Sequence, residues 1–416
     1  MTTPRIEVFM DWLGGPQILG RLRRIPSRHA ELISFEYAQE WLDHPERFEI
    51  DPALPLTKGE FYPDVGMIHG ALLDSAPDRW GKDLMRRRER RLAETEGRTP
   101  RALQELDLLL GVADISRLGA LRFREEGTEP FVASTRSGVP GLVELGRLMA
   151  ASDRIQQDEF DDEDLQLIFA PGSSLGGARP KASVIDNNGQ LSIAKFPKND
   201  DEYDLERWES IALELANRAG IDTAAFNLVT VGNRHVLLSR RFDRQQTHRL
   251  PFISAMALTG HRDGDRDCSY LELAEMISAR GAHPVRDRQE LFRRIAFSIL
   301  ISNVDDHLRN HGFIREGQGW SLAPAYDLNP VPPHLKPPIL STAIDLDDRT
   351  ADIGLLLSTA EEYGLQERRA RSIIREVAEA TVDWQEVAKR SGARNAEITL
   401  MTGAFEHDRL DRALSL

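Results

Sequence analysis

A polar segment at residues 301–314 directly follows an apolar helical stripe, and this junction constrains the fold of the chain more than any other feature. The stripe recurs at helical spacing and consists of Leu291, Phe292, Ile295 and Ile299. The segment after it, ISNVDDHLRNHGFI, holds two aspartates, two asparagines and two histidines. Because the stripe predicts a buried helix, these polar groups lie where the chain leaves the core, which is typical of a functional loop.

The spacing of the acids and amides indicates phosphoryl transfer. Asp305 precedes Asn310 by five positions, and Asp327 follows 17 positions later (327 − 310). In this chemistry one carboxylate orients the attacking hydroxyl, while an amide and a second carboxylate hold Mg²⁺ against the phosphates. Protein kinases place the three groups in this order and at this spacing. For Asp305 and Asn310 alone, a polar loop with capping residues remains the alternative.

Upstream features follow the order seen in protein kinases. A glycine-rich stretch, PGSSLGGARPK, is followed by Lys195 in the apolar strand SIAKFP, 18 positions after Gly177 (195 − 177). A lysine between apolar neighbours is unusual unless its ammonium group has a partner. We therefore predict a glycine loop, a strand lysine and the loop aspartates of a kinase-type phosphotransferase.

Glu209 is the acid predicted to reach Lys195. It lies 14 positions after the lysine (209 − 195), at the edge of the apolar stripe of the next helix. By a count of about 100° per residue, Glu206 and Glu214 point further outward.

Two other readings use the same residues. GSSLGG fits a nucleotide-binding P-loop only until Gly-Lys-Ser/Thr is required, because Lys181 comes three positions too late. His307 and His311 are four apart and would share one face of a helix as zinc ligands. The sequence HLRNH lacks the glutamate of zinc peptidases and Gly312 indicates a loop, so a structural histidine pair is the alternative.

Local patterns predict a β-rich first half and a helical second half. LGGP joins two strands as a hairpin, and Asn187–Asn188–Gly189 forms the turn of a second strand pair. A helix is predicted from Leu205 to Ala219, with Gly220 after its end, and the strands AAFNLVTV and RHVLLSRRF follow. Near the C-terminus another apolar stripe contains Ile373, Ile374, Val377, Trp384 and Ala388. At about 150 residues per domain, 416 residues indicate two or three units, here two lobes.

Charge and cysteine content limit the function classes. The net charge of −14 (53 − 67) argues against a nucleic-acid binder that depends on phosphate contacts, although a local cluster with a metal can hold a triphosphate. A single cysteine, Cys268, excludes a disulfide framework, and the apolar runs are too short for a membrane span. We expect a cytoplasmic protein without membrane contact. The arginines at 86–91 form either a solvated helix face or a binding patch.

The ordered motifs resemble a known family. GGARPKA, IAKFP, RRFDR, SNVDDHLRNHGFI and LAPAYDLNP resemble the HipA serine/threonine kinases, toxins of bacterial toxin–antitoxin pairs. LLDSAPDRWG and DLLLGVADISRLGALRF resemble the family's N-terminal subdomain. The resemblance implies an α+β, protein-kinase-like two-lobed fold: an N-terminal HipA-like subdomain (1–135), a β-rich kinase N-lobe (136–249) and a helical C-lobe (250–416).

The resemblance also implies the roles of individual residues. Asp305 resembles the catalytic base, Asn310 and Asp327 the Mg²⁺ ligands, and Lys195 the phosphate-contacting lysine. Ser174 stands where family members carry an autophosphorylated, inactivating serine. The catalytic loop reads Asp-x-His-x-x-Asn, as in phosphoinositide kinases. The expected ATP-binding residues are Gly176, Gly177, Ala178, Arg179, Lys181, Lys195, Glu209, Arg240, Arg241, Phe242, His307 and Asn310. Arg240 departs from the family because an acid often precedes Arg-Phe-Asp in this hinge.

The resemblance further implies ATP and Mg²⁺ as cofactors, a protein substrate such as an aminoacyl-tRNA synthetase, and a small helix-turn-helix antitoxin through which DNA is contacted. Two other functions stay open. One is a catalytically silent HipA-like corepressor or scaffold, against which the intact set of Asp305, Asn310, Asp327 and Lys195 argues. The other is a small-molecule kinase of the aminoglycoside type, which uses a similar loop.

Overall fold

A computed structural model describes residues 5–26, 31–64, 66–133, 139–169, 177–246 and 248–416. The chain divides into two compact units. The first comprises Met1–Asp200, Val231–Asn233 and Leu238–Ile253, and the second comprises Asp201–Thr230, Arg234–Leu237 and Ser254–Leu416. The division of the chain at 135/136 and 249/250 stays a prediction.

The N-terminal part is built on an antiparallel sheet with the order β4-β3-β2-β1-β5. Its strands are β1 (Ile6–Asp11), β2 (Pro16–Pro26), β3 (Glu31–Tyr37), β4 (Glu60–Phe61) and β5 (Leu121–Glu125). The hairpin predicted at LGGP is confirmed, since β1 and β2 pair with Asp11 opposite Pro16. Gly14 and Gly15 have φ values of +104° and +124°, which favour glycine in this turn.

Six α-helices precede the second sheet in the described part of the chain. They are α1 (Gln39–Leu42), α2 (Gly70–Leu73), α3 (Arg79–Thr95), α4 (Glu105–Gly111), α5 (Leu145–Gln156) and α6 (Asp162–Phe169). Helix α3 carries the arginine-rich stretch. Arg86, Arg88 and Arg90 are exposed, while Arg87 pairs with Asp83 at 2.7 Å. This exposure fits both a solvated face and a binding patch.

The second sheet contains the strand pair predicted around the Asn-Asn-Gly turn. Its strands, in the order β6-β7-β9-β8, are β6 (Lys181–Ile185), β7 (Leu191–Lys195), β8 (Phe226–Val231) and β9 (Arg234–Arg240). Asp186 accepts hydrogen bonds from the backbone N–H groups of Asn188 and Gln190, each at 2.8 Å, and Gly189 has φ +75°. The predicted strand, turn and strand are confirmed.

Helix α7 (Leu205–Arg218) matches its prediction and is capped by Asp204, whose side chain accepts the N–H of Arg207. Gly220 follows with φ +76°, as expected of a glycine after a helix end. One expectation is wrong: Glu206 is 2% exposed and Glu209 5%, so both acids are buried. Helix α7 is enclosed on more faces than one stripe predicts, and burial does not single out Glu209.

The second unit is mainly helical, as predicted for the C-terminal half. The last segment of the first unit contains the short strands β10 (Arg244–Gln245) and β11 (His248–Arg249), and β12 (Phe252–Ser254) lies at the boundary of the units. The second unit contains β13 (Gly312–Glu316) and β14 (Gly319–Leu322). The helices are α8 (Ala255–Thr259), α9 (Tyr270–Arg280), α10 (Pro284–Leu300), α11 (Ile353–Ser358), α12 (Glu367–Val382), α13 (Trp384–Arg390), α14 (Asn395–Phe405) and α15 (Asp408–Leu414). Antiparallel sheets and separate helical segments confirm the α+β class.

The apolar stripe near the C-terminus belongs to two helices. Ile373, Ile374 and Val377 are buried on α12, whereas Trp384 and Ala388 are buried on α13. Asp383 separates the helices, so the expectation of one continuous stripe is wrong. In the part of the chain that the structure describes, no helix has the length and apolar character needed to cross a membrane.

Candidate active site

Helix α10 delivers the chain into the polar loop. Leu291, Phe292, Ile295 and Ile299 are fully buried, as the stripe predicts. The helix ends at Leu300, and Ser302 turns the chain with φ +55°. The Ser302 hydroxyl donates to the Ala404 carbonyl at 2.8 Å. The loop therefore starts from a fixed point in the core.

Two consecutive aspartates of the loop have opposite environments. The Asp305 side chain is 62% exposed, and its Oδ2 lies 3.9 Å from Nζ of Lys336. Asp306 is 2% exposed, and its Oδ2 accepts hydrogen bonds from Tyr270 Oη at 2.7 Å and Ser298 Oγ at 3.0 Å. Only Asp305 is thus accessible to a substrate.

Asp306 is held as a carboxylate inside the second unit. Its Oδ1 lies 3.1 Å from His311 Nε2. Burial alone would raise the pKa of the Asp306 carboxyl, but His311 and the hydroxyl donors outweigh burial and hold that pKa below its usual range. The structure therefore supports the structural reading of His311, and the two histidines do not share a helix face.

Backbone contacts on both sides of Asp305 lock the loop. The Val304 carbonyl accepts the N–H of Ser341 at 3.0 Å, and the Asp306 carbonyl accepts the Thr342 hydroxyl at 2.8 Å. Because the flanking peptides are fixed in this way, the exposed Asp305 carboxylate is presented from a defined backbone position.

Asn310 is tied directly to Asp305. Its Nδ2 donates to the Asp305 carbonyl at 3.1 Å, and its N–H donates to the His307 carbonyl at 2.8 Å. The amide nitrogen is thereby occupied, which leaves the amide oxygen as the group able to bind a metal. His307 Nδ1 is buried and has no hydrogen-bond partner in the described part of the chain.

Asp327 follows β14 and is connected to the loop through its neighbours. It adopts φ +61°, a left-handed conformation that aspartate tolerates better than most residues. Asn329 Nδ2 donates to Asp327 Oδ1 at 3.2 Å, and the Asn329 N–H donates to Asn303 Oδ1 at 3.2 Å. Tyr326 Oη donates to the Arg309 carbonyl at 2.7 Å. The structure thus brings the Asp327 segment beside the loop of Asp305 and Asn310.

Lys195 and Lys181 face each other on the second sheet. Lys195 ends β7, is half-buried and is paired in register with Lys181, the first residue of β6. Ala178 is exposed and Arg179 half-buried. Ser174 and Gly176 lie outside the described residues. Glu209 belongs to the second unit and Lys195 to the first, so their pairing stays a prediction.

The three predicted hinge residues differ in exposure. Arg240 is exposed and Phe242 half-buried, whereas the Arg241 side chain is buried and donates to Asp243 at 2.6 Å and to the Ser116 carbonyl at 2.8 Å. The Arg241 N–H donates to the Leu191 carbonyl. Any contact of Arg241 with a nucleotide is therefore left to its backbone carbonyl.

Sequence reasoning missed three residues that organise this site. Asp306 anchors the loop, Asn303 joins it to the Asp327 segment, and Asp78 forms an ion pair with Lys181 at 2.9 Å. Asn303 did carry a signal, because it is where the apolar stripe ends. Tyr270 and Thr342, which hold Asp306, and Lys181, which pairs with Asp78, are distant in the chain and left no local pattern.

Family profiles identify both halves of the chain. The HipA N-terminal domain matches residues 12–124, and the HipA-like C-terminal domain matches residues 173–385, which is half of the chain. The chain belongs to the HipA family. The second match contains Lys181, Lys195, Asp305, Asn310 and Asp327.

Relatives of this HipA-family chain include named candidate kinases. Y4mE of Sinorhizobium fredii is 25% identical over 358 residues, covering 78% of this chain and 77% of the relative. A candidate kinase of Haemophilus influenzae is 26% identical over 185 residues, covering 39% of this chain and 54% of the relative.

A solved HipA structure shares the fold. HipA of Shewanella oneidensis, determined with HipB and operator DNA, matches with a TM-score of 0.69 at 18% identity, covering 99% of this chain and 96% of that chain. The fold predicted from the family resemblance is confirmed.

Proposed function

We propose that this HipA-family chain is an ATP- and Mg²⁺-dependent serine/threonine protein kinase. One observation carries the proposal: the side chain of Asp305 is exposed while its backbone is fixed. The neighbouring peptides are held by hydrogen bonds, and the Asp305 carbonyl accepts a hydrogen bond from Asn310. A catalytic base needs this combination of access and fixed position. The names of the candidate kinases among its relatives agree with this chemistry.

The proposed residues have two roles: one orients the attacking hydroxyl, and the others bind the metal ion. Asp305 accepts the hydrogen bond of the attacking hydroxyl and orients it towards the γ-phosphoryl group. The Asn310 amide oxygen and the Asp327 carboxylate are hard oxygen ligands of the kind that Mg²⁺ prefers, so the donor set fits this ion. When bound, Mg²⁺ neutralises charge on the phosphates.

The nucleotide is proposed to lie against the glycine segment and the paired strands. Gly176, Gly177, Ala178 and Arg179 cover the phosphates, and Lys181 and Lys195 supply positive charge. The two lysines are register partners on one strand pair, and their two positive charges, beside the carboxylate of Asp78, favour an anionic ligand. Arg240, Arg241, Phe242 and His307 are proposed as further contacts, with Glu209 orienting Lys195.

Regulation and partners extend the proposal. Ser174 is proposed as an autophosphorylation site, because a phosphate there would repel the bound triphosphate. A helix-turn-helix antitoxin is the proposed partner, by analogy with the HipB and DNA found with the Shewanella protein. The substrate is proposed to be a cytoplasmic protein such as an aminoacyl-tRNA synthetase.

Incubation with γ-labelled ATP tests the proposed activity. The chain is incubated alone and then with a bacterial lysate, beside an Asp305→Asn control. Labelled protein supports the kinase, with phosphate on Ser174 expected by mass spectrometry. A labelled small molecule would instead identify a small-molecule kinase. The absence of label in every fraction would favour a catalytically silent corepressor or scaffold.

A further inference from the structure

A buried ion pair joins the two domains of the family within the first unit. Asp78 Oδ2 and Lys181 Nζ are 2.9 Å apart, with side-chain exposures of 1% and 4%. Asp78 lies in the HipA N-terminal match and Lys181 in the HipA-like C-terminal match. Both belong to the first unit. A buried charge pair is costly to form, so it calls for a specific reason.

Asp78 is held rigidly on its own side. It is the N-cap of α3, and its Oδ1 accepts the N–H of Gly81 at 2.8 Å. This bond leaves Oδ2 directed at the lysine. Two positions along, Trp80 Nε1 donates to the Lys181 carbonyl at 3.1 Å. The start of α3 therefore holds both the side chain and the backbone of Lys181.

Lys181 lies where two features of the proposed nucleotide site meet. It stands directly opposite Lys195 in the register of β6 and β7, so both side chains leave the same face of the sheet. A Cβ atom at Gly177, where φ is +96°, would lie 3.1 Å from Lys181 Nζ. The ammonium group is thus at the end of the glycine segment.

We propose that Asp78 is a positioning residue of the nucleotide site, which holds the Lys181 ammonium group against the phosphates of a nucleoside triphosphate. An ammonium group has three N–H donors, so one lysine can contact a carboxylate and a phosphate oxygen at the same time. The carboxylate also offsets the repulsion between Lys181 and Lys195. This inference rests on the proposed function, and it assigns to the N-terminal domain a role in nucleotide binding.

Calorimetric titration with Mg²⁺ and a non-hydrolysable ATP analogue tests the role of Asp78. Asp78→Asn is expected to weaken binding about tenfold, because the lysine loses its fixed orientation. Asp78→Glu, which keeps the carboxylate, is expected to recover part of the loss. In a Lys181→Met background, Asp78→Asn is expected to cause no further loss, because the two residues act as one unit.

Two controls separate positioning from general stability. Asp83→Asn makes the same charge change on the same helix, where Asp83 pairs with Arg87, and should leave affinity unchanged. Adenosine, which lacks phosphates, should bind wild type and Asp78→Asn equally, whereas a general structural defect would weaken both ligands. If Asp78→Asn does not fold, the comparison is made with Asp78→Glu and with Trp80→Phe, which lacks the N–H donor and should bind the analogue several-fold more weakly than wild type.

The outcomes distinguish this inference from the proposed function. If the wild-type chain binds the analogue and the folded Asp78 variants bind it with the same affinity, the positioning role is overturned and the proposed function is not. Additive losses in the Lys181→Met background, or equal losses for adenosine, overturn it as well. A wild-type chain that binds no triphosphate overturns the proposed function, and the inference with it.

Discussion

Asp305 and Asp306 are neighbours in the chain but differ by almost the whole range of exposure. The first carboxylate faces solvent and the second is enclosed by Tyr270, Ser298 and His311. The difference arises because the backbone is held from both sides by Ser341 and Thr342, so successive side chains point in opposite directions. One residue is thereby available for chemistry while the other stabilises the loop.

Substitution of Asp305 and Asp327 should separate turnover from binding. Asp305→Asn is expected to keep Mg·ATP affinity near wild type while the rate falls by ~10²–10⁴, the usual contribution of a positioned base. Asp327→Asn should weaken Mg·ATP binding as well, because it removes the negative charge of the proposed metal ligand. Calorimetry beside a phosphorylation assay measures both effects. Full activity of Asp305→Asn would refute the assignment of the base.

Asp306→Asn should destabilise the second unit. Asp306 is 2% exposed, so its substitution perturbs the interior, unlike that of the exposed Asp305. The amide cannot accept from all three donors, so we expect a loss of about 3 kcal/mol in the free energy of unfolding. Urea unfolding measures it. Asp305→Asn is the matched control, with a change within about 0.5 kcal/mol; equal stability of the two variants would contradict this account.

Among the helices, α15 begins with an unusual cap, a histidine side chain. His407 Nδ1 accepts the N–H of Leu410 at 3.2 Å at the start of this helix. Burial, together with the nearby charge of Arg409, lowers the pKa of His407 to about 4. Protonation would remove the acceptor and place a positive charge at a helix N-terminus, which is unfavourable. The cap therefore requires neutral histidine.

Because of this cap, the free energy of unfolding should decrease as the pH falls. An unfolded histidine titrates near 6.5, so between pH 6.5 and about 4 the unfolded chain binds a proton that the folded chain excludes. The contribution is complete above pH 6.5 and is lost as pH falls towards 4. His407→Asn caps without titrating. Between pH 7 and pH 5, the free energy of unfolding measured in urea should decrease by about 1–2 kcal/mol less for this variant than for wild type. Parallel pH profiles of the two proteins would argue against the cap.

At the scale of the whole molecule, the first unit combines the two domains of the family. The buried Asp243 carboxylate accepts the Gly119 N–H at 2.7 Å. Arg241 donates to the carbonyls of Ser116 and Arg117. Burial alone would raise the pKa of Asp243, but Arg241 and Arg244 outweigh it and hold that pKa well below the usual range. These contacts cross the predicted boundary at 135/136.

A fragment of residues 136–416 should therefore not fold alone. It would leave Lys181 without the Asp78 carboxylate and Arg241 and Asp243 without their backbone partners at 116–119, and it would expose groups that are buried in the whole chain. We expect aggregation or the absence of a cooperative thermal transition in circular dichroism. Co-expression with residues 1–135 should restore a soluble, cooperatively unfolding complex. A fragment that melts sharply by itself would show that these contacts are dispensable.

Short-range patterns determined the elements of this protein. The Asn-Asn-Gly turn between β6 and β7, the ends of α7 and the hairpin at LGGP all follow from residues within a few positions of one another. The spacing of Asp305, Asn310 and Asp327 likewise identified the polar loop, because the family constrains it locally.

The partners of individual charges were decided by tertiary structure. Tyr270 and Thr342 hold Asp306 from 36 positions on either side, and Asp78 meets Lys181 across 103 positions. Periodicity describes one face of one element and therefore did not reveal that Glu206 is buried beside Glu209 on α7. Which carboxylate is exposed and which is paired depends on segments that fold onto it from afar, and only the assembled core brings those segments together.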